Sequence, residues 1–370
     1  GDRLTVFINN LVLKQFNPAL KGIGLKLDGV LNGEISLSNT DGNFVFDGGV
    51  DAQNFSLNNN FIGEVFLSTN YLAGDKLIKI NGYTAASDNG IRARNISFSG
   101  IYYLDKRAES LDLAFKADPA NLRILNPFLK DILTINRGYV QGEGKIYGSP
   151  DNIKIDGKLH FTNNCEVKVD YTNVSYRVLG GEIEIMPDQI RFSDIAIRES
   201  GAGFVPKPQG YVNGNIFHTN FSRMQIDYDV TYHNMLVLNT TEKENSTFYG
   251  RVYGSGNMGI YGFLNKLHMQ VRDTTTAGSR FILPLDGPAE VSEDDFVKFV
   301  KKDTTKTPET PITGFDLDLN IYATPQASAQ IILDKRNGDM LSAQGRGDIN
   351  MRINTLGKFE MFGNYNITKG

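Results

Sequence analysis

Phe315-Asp316-Leu317-Asp318-Leu319-Asn320-Ile321 alternates an apolar residue with a polar one at every step. Successive side chains of an extended strand point to opposite faces, so this stretch is a ribbon with one oily side and one wet side. The same period recurs along the chain. Ile153, Ile155, Leu159 and Phe161 are interleaved with Lys154, Asp156 and Lys158. Met224, Ile226, Tyr228, Val230 and Tyr232 form a longer run, and Cys165, Val167, Val169 and Tyr171 and then Ile349, Met351 and Ile353 repeat it. Turn chemistry separates the runs at Asn32-Gly33, Asp41-Gly42, Asn81-Gly82, Asn89-Gly90 and Asn337-Gly338, where both residue types tolerate the positive φ of tight hairpins. The pattern predicts an all-β fold: a long, mainly antiparallel sheet with one apolar face and one or two short helices.

Helix signals are few. Asp118-Pro119 reads as an N-cap followed by proline in the first turn, with Leu122, Leu125, Phe128 and Leu129 as an apolar stripe. Ser292 and Asp295 resemble a capping box for a second helix reaching Lys301, with Phe296, Phe299 and Val300 on one side. Residues 302–311, rich in Thr, Pro and charge, read as an exposed loop. Glycine-punctuated strands recur as Gly29-Val-Leu-Asn-Gly33, Gly138-Tyr-Val-Gln-Gly142, Gly210-Tyr-Val-Asn-Gly214 and Gly250-Arg-Val-Tyr-Gly254. Their spacing is irregular, which excludes a fixed-period solenoid. Glycine inside a strand marks a bulge, a bend or a close backbone approach, so we expect a sheet bent at these stations, curling its oily face inward.

The chain has 370 residues, 38 Lys+Arg against 42 Asp+Glu, a net charge of −4, 38 Gly, one Cys and no Trp. It lacks the basic footprint of a nucleic-acid binder. A lone Cys165 excludes an internal disulfide and a Cys-based zinc site, and no apolar run is long enough for a membrane-spanning helix. The chain begins without Met or a signal-like segment and reads as a fragment of something longer.

Catalytic motifs are absent. His160, His218, His233 and His268 form no helical pair or Cys/His cluster. There is no Gly-x-Ser-x-Gly elbow or phosphate loop, and Gly142-Glu-Gly144 and Gly345-Arg-Gly347 read as bends. Asp227/Asp229 and Asp316/Asp318 are acidic pairs on one strand face, opposite the apolar set and hence in water. We expect no enzyme and no cofactor.

A sheet this long must hide its apolar face. Two packed sheets, a closed barrel, a lipid bilayer around a membrane barrel, or a curled sheet holding an acyl chain all do so. An acyl chain of about sixteen carbons offers on the order of 10 kcal/mol at ~0.8 kcal/mol per buried methylene. The absence of Trp counts against the membrane barrel.

Several motifs resemble those of the TamB family, the translocation and assembly module proteins of Gram-negative envelopes. The most specific is the succession Phe315-Asp-Leu-Asp-Leu-Asn-Ile-Tyr322, Leu333-Asp-Lys-Arg-Asn-Gly-Asp339, Leu341-Ser-Ala-Gln-Gly345-Arg-Gly347 and Gly363-Asn-Tyr365-Asn-Ile367. Tyr249-Gly-Arg-Val-Tyr-Gly254, continuing through Gly259-Ile-Tyr-Gly262 to Ile282-Leu-Pro284-Leu285, is similar to another part of the family pattern. The resemblance runs from about Gly138 onward; residues 1–137 share only its style of β-repeat.

The resemblance implies a taco-shaped β-groove with an apolar concave interior over 138–370, continuous with a β-groove repeat region over 1–137 and interrupted by a helix and loop insertion at 292–311. It implies a periplasmic location, an upstream N-terminal helix anchored in the inner membrane, and an Omp85-type, TamA-like outer-membrane barrel as partner. It further implies a part in outer-membrane biogenesis, by conducting phospholipid or by holding unfolded outer-membrane protein strands. On the lipid reading Ile155, Phe161, Val167, Val169, Ile226, Tyr228, Val230, Phe315, Leu317, Leu319, Ile321, Ile349, Met351 and Ile353 line the groove. A carbohydrate-active β-protein using Asp227/Asp229 is a competing expectation.

Overall fold

Nearly all of the period-two sequence becomes strand. The computed structural model describes residues 3–20, 26–40, 43–57, 60–72, 75–88, 91–105, 108–129, 132–149, 152–162, 165–201, 207–219, 222–284, 314–335, 337–354 and 359–370. The chain forms two units, one of Gly1–Val167, Arg177–Ile195 and Phe217–Ser222, the other of Lys168–Tyr176, Ala196–Ile216 and Arg223–Gly370.

The first unit opens with β1 (Arg3–Val12), β2 (Leu27–Thr40), β3 (Asn43–Leu57), β4 (Asn60–Leu72), β5 (Leu77–Asp88), β6 (Ile91–Tyr103) and β7 (Leu111–Asn121). Each pairs antiparallel with the next. After β8 (Leu133–Arg137), β9 (Tyr139–Ser149) pairs with β7, and β10 (Asn152–Phe161) with β9. β11 (Cys165–Val169), β12 (Val174–Met186), β13 (Gln189–Glu199) and β14 (Gly210–Thr219) contribute residues to both units.

The helix expected from Asp118-Pro119 starts later and is shorter. β7 runs through both residues, and Pro119 falls where the β7–β9 register skips from Ala117 to Ala120, so the ladder asks no N–H of it. Asn121 is the cap, its side chain accepting from the Arg123 N–H at 3.0 Å. A 3-10 turn, Leu122–Leu125, then leads into α2 (Asn126–Leu129). The same device stands after β1, where the turn Leu13–Phe16 leads into α1 (Asn17–Leu20). In each, an asparagine side chain grips the backbone of a later residue from both sides. Asn17 Nδ2 donates to Leu27 O at 2.9 Å and Oδ1 accepts from Leu27 N at 2.7 Å. Asn126 does the same to Ile135, at 3.0 and 2.8 Å. The helix expected at Ser292 and the loop at 302–311 lie outside the described residues.

The second unit is built on β15 (Ser222–Thr240), β16 (Tyr249–Phe263), β17 (Lys266–Thr275), β18 (Arg280–Pro284), β19 (Phe315–Ala323), β20 (Ser328–Asp334), β21 (Asp339–Asn354) and β22 (Phe359–Lys369). β16 pairs with β17 along one half and β18 along the other, so β17 and β18 act as one interrupted strand. β19 and β20 lie parallel to β17 and β18, and β21 spans both of them.

The interruptions fall at one level and form a crease. Thr276 to Ser279 and Thr324 to Ala327 leave the ladder side by side, while β15 bulges between Tyr232 and Met235. Side chains supply the missing bonds. Ser279 Oγ accepts from Tyr253 N at 2.9 Å, Thr275 Oγ1 accepts from Thr324 N at 2.9 Å, and Thr324 Oγ1 donates to Thr275 O at 3.0 Å. Tyr249 and Ile260 would stand about 36 Å apart on a straight strand. Yet Phe248, beside Tyr249, and Leu317, level with Ile260 across Met269, share one core with Leu238, Leu283 and Ile353. The Tyr171 ring touches both ends, 6.4 Å from Phe248 and 5.0 Å from Phe315 between centroids. The apolar face of this unit is therefore folded over the crease onto itself.

Ser279 is buried, so Ser279→Ala strands the Tyr253 N–H in a place water does not reach. A loss of ~1–3 kcal/mol is expected, read as a lower urea midpoint; an unchanged midpoint would mean that the crease does not depend on this hydroxyl.

Candidate functional site

Strand register decides which side chains share a face. In the first unit one row runs Ile8, Gly33, Val50, Leu67, Gly82, Phe98, Phe115, Gly144, Gly157, each directly opposite the next. Neighbouring rows add Val6 and Ile35, Leu113 and Ile146, and Ala117, Gly142 and Leu159. The central row is apolar along its whole length, and Thr69 and Thr84 are among the few polar side chains in the rows beside it. Its glycines make room for rings: a Cβ on Gly82 would stand 2.3 Å from the Phe98 ring, and one on Gly144 would stand 2.6 Å from the Phe115 ring. At the β1–β2 side the face is open, with Val6 52% and Ile35 41% exposed.

Ile155 and Phe161 lie on this face, opposite Ile146 and Val140. Phe161 packs with Leu159, Ile185 and Phe192 around buried Ala117, Val140 and Ile183. Val167 and Val169 are half-buried on β11, whose first residue, Cys165, fills the space beside Gly138. Burial pushes the Cys165 thiol up to about 11, so it is not a reactive thiolate at neutral pH.

In the second unit two inner rows carry most of the other expected residues. One runs Val230, Met258, Val271, Leu319, Met351, Met361, and the next Tyr228, Ile260, Met269, Leu317, Ile353, Phe359. Ile226 and Phe315 flank Gly262 and Leu267, and Ile321 faces Ile349. Ile226, Val230, Leu317, Met351 and Ile353 are buried, whereas Tyr228, Phe315, Leu319, Ile321 and Ile349 are half-buried. All ten share one face.

Toward the crease that face turns polar. Asp273 is 8% exposed, and its carboxylate lies on Gly254, where a Cβ would stand 2.1 Å from Oδ2. Tyr232 and the Thr274 N–H hydrogen-bond it, but Oδ1 has no partner among the described residues, and burial pushes the acid up to about 6. Burial likewise raises Tyr232, Tyr176 and Glu199 above their ordinary values. Tyr176 donates to Leu236 O at 2.8 Å.

The opposite face is wet. Asp227 and Asp229 are exposed there, facing Tyr261 and Gly259. His268 lies 3.4 Å from Asp316 and stacks on Tyr261. Among the described residues no group of three or more His, Cys, Asp or Glu is placed to hold a metal ion. No helix among them is long and apolar enough to cross a membrane.

These features define an all-β protein with a curled, two-faced sheet, apolar on one side and wet on the other. Residues 206–370 match the family model of the TamB C-terminal domain. No curated protein and no solved structure matches the chain. Residues 138–205, where the sequence resemblance also reached, lie outside the matched segment. The domain ties the chain to the bacterial envelope, to its biogenesis and, at a coarse level, to outer-membrane machinery of the TamA type.

The row Val50, Leu67, Phe98, Phe115 does not stand out in the sequence. It is legible there only as single large residues in Gly- and Ser-rich strands, because its apolar alternation is broken by Gly82, Gly144 and Gly157.

Proposed function

We propose that the chain is a non-enzymatic periplasmic segment whose apolar sheet faces hold phospholipid acyl chains in transit between the two membranes. The observation that carries this reading is the row from Ile8 through Leu67 to Phe115, apolar across the strands of the first unit and open at Val6 and Ile35. An open apolar surface of this extent marks a binding surface in a soluble protein. In the second unit the half-buried Tyr228, Leu319, Ile321 and Ile349 belong to the lipid-facing surface. Leu317 and Ile353 form its packed floor.

A second reading makes the module a holder of unfolded outer-membrane strands. It is favoured by β22, which pairs only with β21 among the described residues and exposes Met361 and, at 65%, Ile367. Such an edge accepts an added strand.

A photo-crosslinking amino acid at Leu67 and Leu319, with Ser68 and Asp318 as wet-face partners, separates the two. Phospholipid adducts at Leu67 and Leu319 alone are expected. Peptide adducts would favour the second reading, and equal labelling of both faces would end the lipid reading. Ile35→Arg, at an exposed position, is expected to cut phospholipid co-purification several-fold in native mass spectrometry while leaving circular dichroism unchanged.

A further inference from the structure

We propose that the wet face of the second unit binds an anionic glycan strand, in a cleft of about 510 Å³ that crosses β17, β19, β21 and β22. Its walls are two rows set by register. One is Gln270, Asp318 and Arg352; the other is Arg272, Asn320, Asn350 and Phe362. Between them the floor is the backbone at Leu319 and Met351, whose side chains point to the apolar face. The inference stands apart from the lipid reading, which concerns that other face.

The chemistry of the walls selects the ligand. Arg352 Nε lies 3.7 Å from Asp318 Oδ1, so that charge is compensated. Arg272 is exposed and has no ion-pair partner among the described residues, so its guanidinium is open to an anion, while Asp318 and, opposite Arg352 on β22, Glu360 offset the charge of the other row. A guanidinium fork takes a carboxylate through two parallel bonds. Asn320 and Asn350 sit directly opposite each other, and their paired amides offer donors and acceptors to neighbouring hydroxyls. Phe362, 57% exposed, ends the row with a ring against which the C–H face of a sugar packs. An acyl chain would meet polar walls, and a duplex nucleic acid needs many more cations than two. An acidic peptide can also meet Arg272 and the amides, so binding of polyglutamate in preference to polygalacturonate would overturn the proposal. A carboxylated glycan uses all three.

The first unit carries a groove of the same construction. About 970 Å³ in volume, it runs along the wet face from β3 to β9, with the backbone of Leu67, Gly82 and Phe98 as floor. Ser68, Asn81, Ser97 and Ser99 are among its walls. Six strands at ~4.8 Å spacing give it a length of about 24 Å. Polar side chains with an aromatic ring among them thus line a transverse track in each unit.

The test uses the full 370-residue chain and fluorescently labelled polygalacturonate oligomers, with dextran oligomers of equal length and phosphatidylglycerol vesicles as comparison probes. Polygalacturonate should bind in preference to dextran. Arg272→Gln and Asn350→Ala should each weaken it by about tenfold, while Asp229→Asn, on the same face but away from the cleft, leaves it unchanged. No binding, or binding indifferent to Arg272→Gln, overturns the proposal. So does dextran binding as well as polygalacturonate, or Arg272-dependent binding of the vesicles alone.

Discussion

Asp273→Asn should stabilise the protein at neutral pH by about 3 kcal/mol and remove most of its pH dependence between pH 4 and 6. In the folded chain the carboxyl is buried on Gly254, one oxygen lacks a partner among the described residues, and the acid is pushed up from 3.8 to about 6. The folded state therefore holds the proton at pH values where the unfolded chain has released it. Stability from this group is full below about pH 4, falls as pH rises, and is lost above about pH 6, because the bare carboxylate must then be buried. Two pKa units at ~1.36 kcal/mol each give the size of the loss. Asparagine keeps the shape and accepts the Tyr232 hydrogen bond without the charge. Urea midpoints at pH 4, 5, 6 and 7.5 check this: wild type and variant should coincide at pH 4 and separate progressively. Glu199, raised for the same reason, leaves a smaller slope in both. Parallel curves, with no convergence at low pH, would refute the assignment. Tyr232 on β15 and the Thr274 N–H hydrogen-bond Asp273, and Tyr232 in turn lies near Tyr176, which lies near Glu199. No cation pairs with Asp273 itself among the described residues.

How much of this was legible beforehand follows the period of the sequence. Where apolar and polar residues alternate strictly, as at Phe315 to Ile321 or Met224 to Tyr232, strand and face could both be read, because the pleat alone sets them. Pairing was not legible, since register depends on partners distant in the chain. The parallel match of β17 with β19 spans residues 285–314 and leaves no local mark. The crease was invisible for a related reason. Thr275, Ser279 and Thr324 are unremarkable singly and matter only because two neighbouring strands break at one level, where β15 also bulges. At Asp118-Pro119 a helix signature lost to the ladder, since β9 offers Ala117 and Ala120 partners on either side of the proline. One further signal is local. Leu13-Lys-Gln-Phe-Asn17-Pro18 and Leu122-Arg-Ile-Leu-Asn126-Pro127 stand at equal distance before Gly29 and Gly138, and each asparagine makes the same two-sided grip on a following strand.

Gly142→Ala should be the most damaging small substitution in the first unit, at about 3–5 kcal/mol, because two independent costs meet there. Gly142 holds φ +154°, a conformation L residues rarely adopt, and a Cβ would stand 2.0 Å from Lys158 O and 2.8 Å from Leu159 Cα. Backbone strain of this kind costs ~1–3 kcal/mol, and forcing strands apart in a packed layer costs a similar amount. The neighbours cannot yield easily, since Gly142 is clamped between Ala117 on β7 and Leu159 on β10, and Ala117 belongs to the buried cluster with Val140 and Ile183. Two other glycines separate the contributions. Gly144 lacks the positive φ, but its Cβ would meet Asp156 O at 2.1 Å and the Phe115 ring at 2.6 Å, so Gly144→Ala carries the steric cost alone. Gly180 on β12 has open space for 4 Å around the place a methyl would occupy and no positive φ, so Gly180→Ala should be neutral or gain ~0.4–1 kcal/mol from a stiffer unfolded chain. Thermal or urea unfolding of the three variants should rank them Gly142, Gly144, Gly180 in order of damage. If Gly142→Ala were as mild as Gly180→Ala, the close approach of β9 to β10 that sets the apolar row of this unit would be wrong. If Gly144→Ala were equally mild, the seat of the Phe115 ring would be wrong with it.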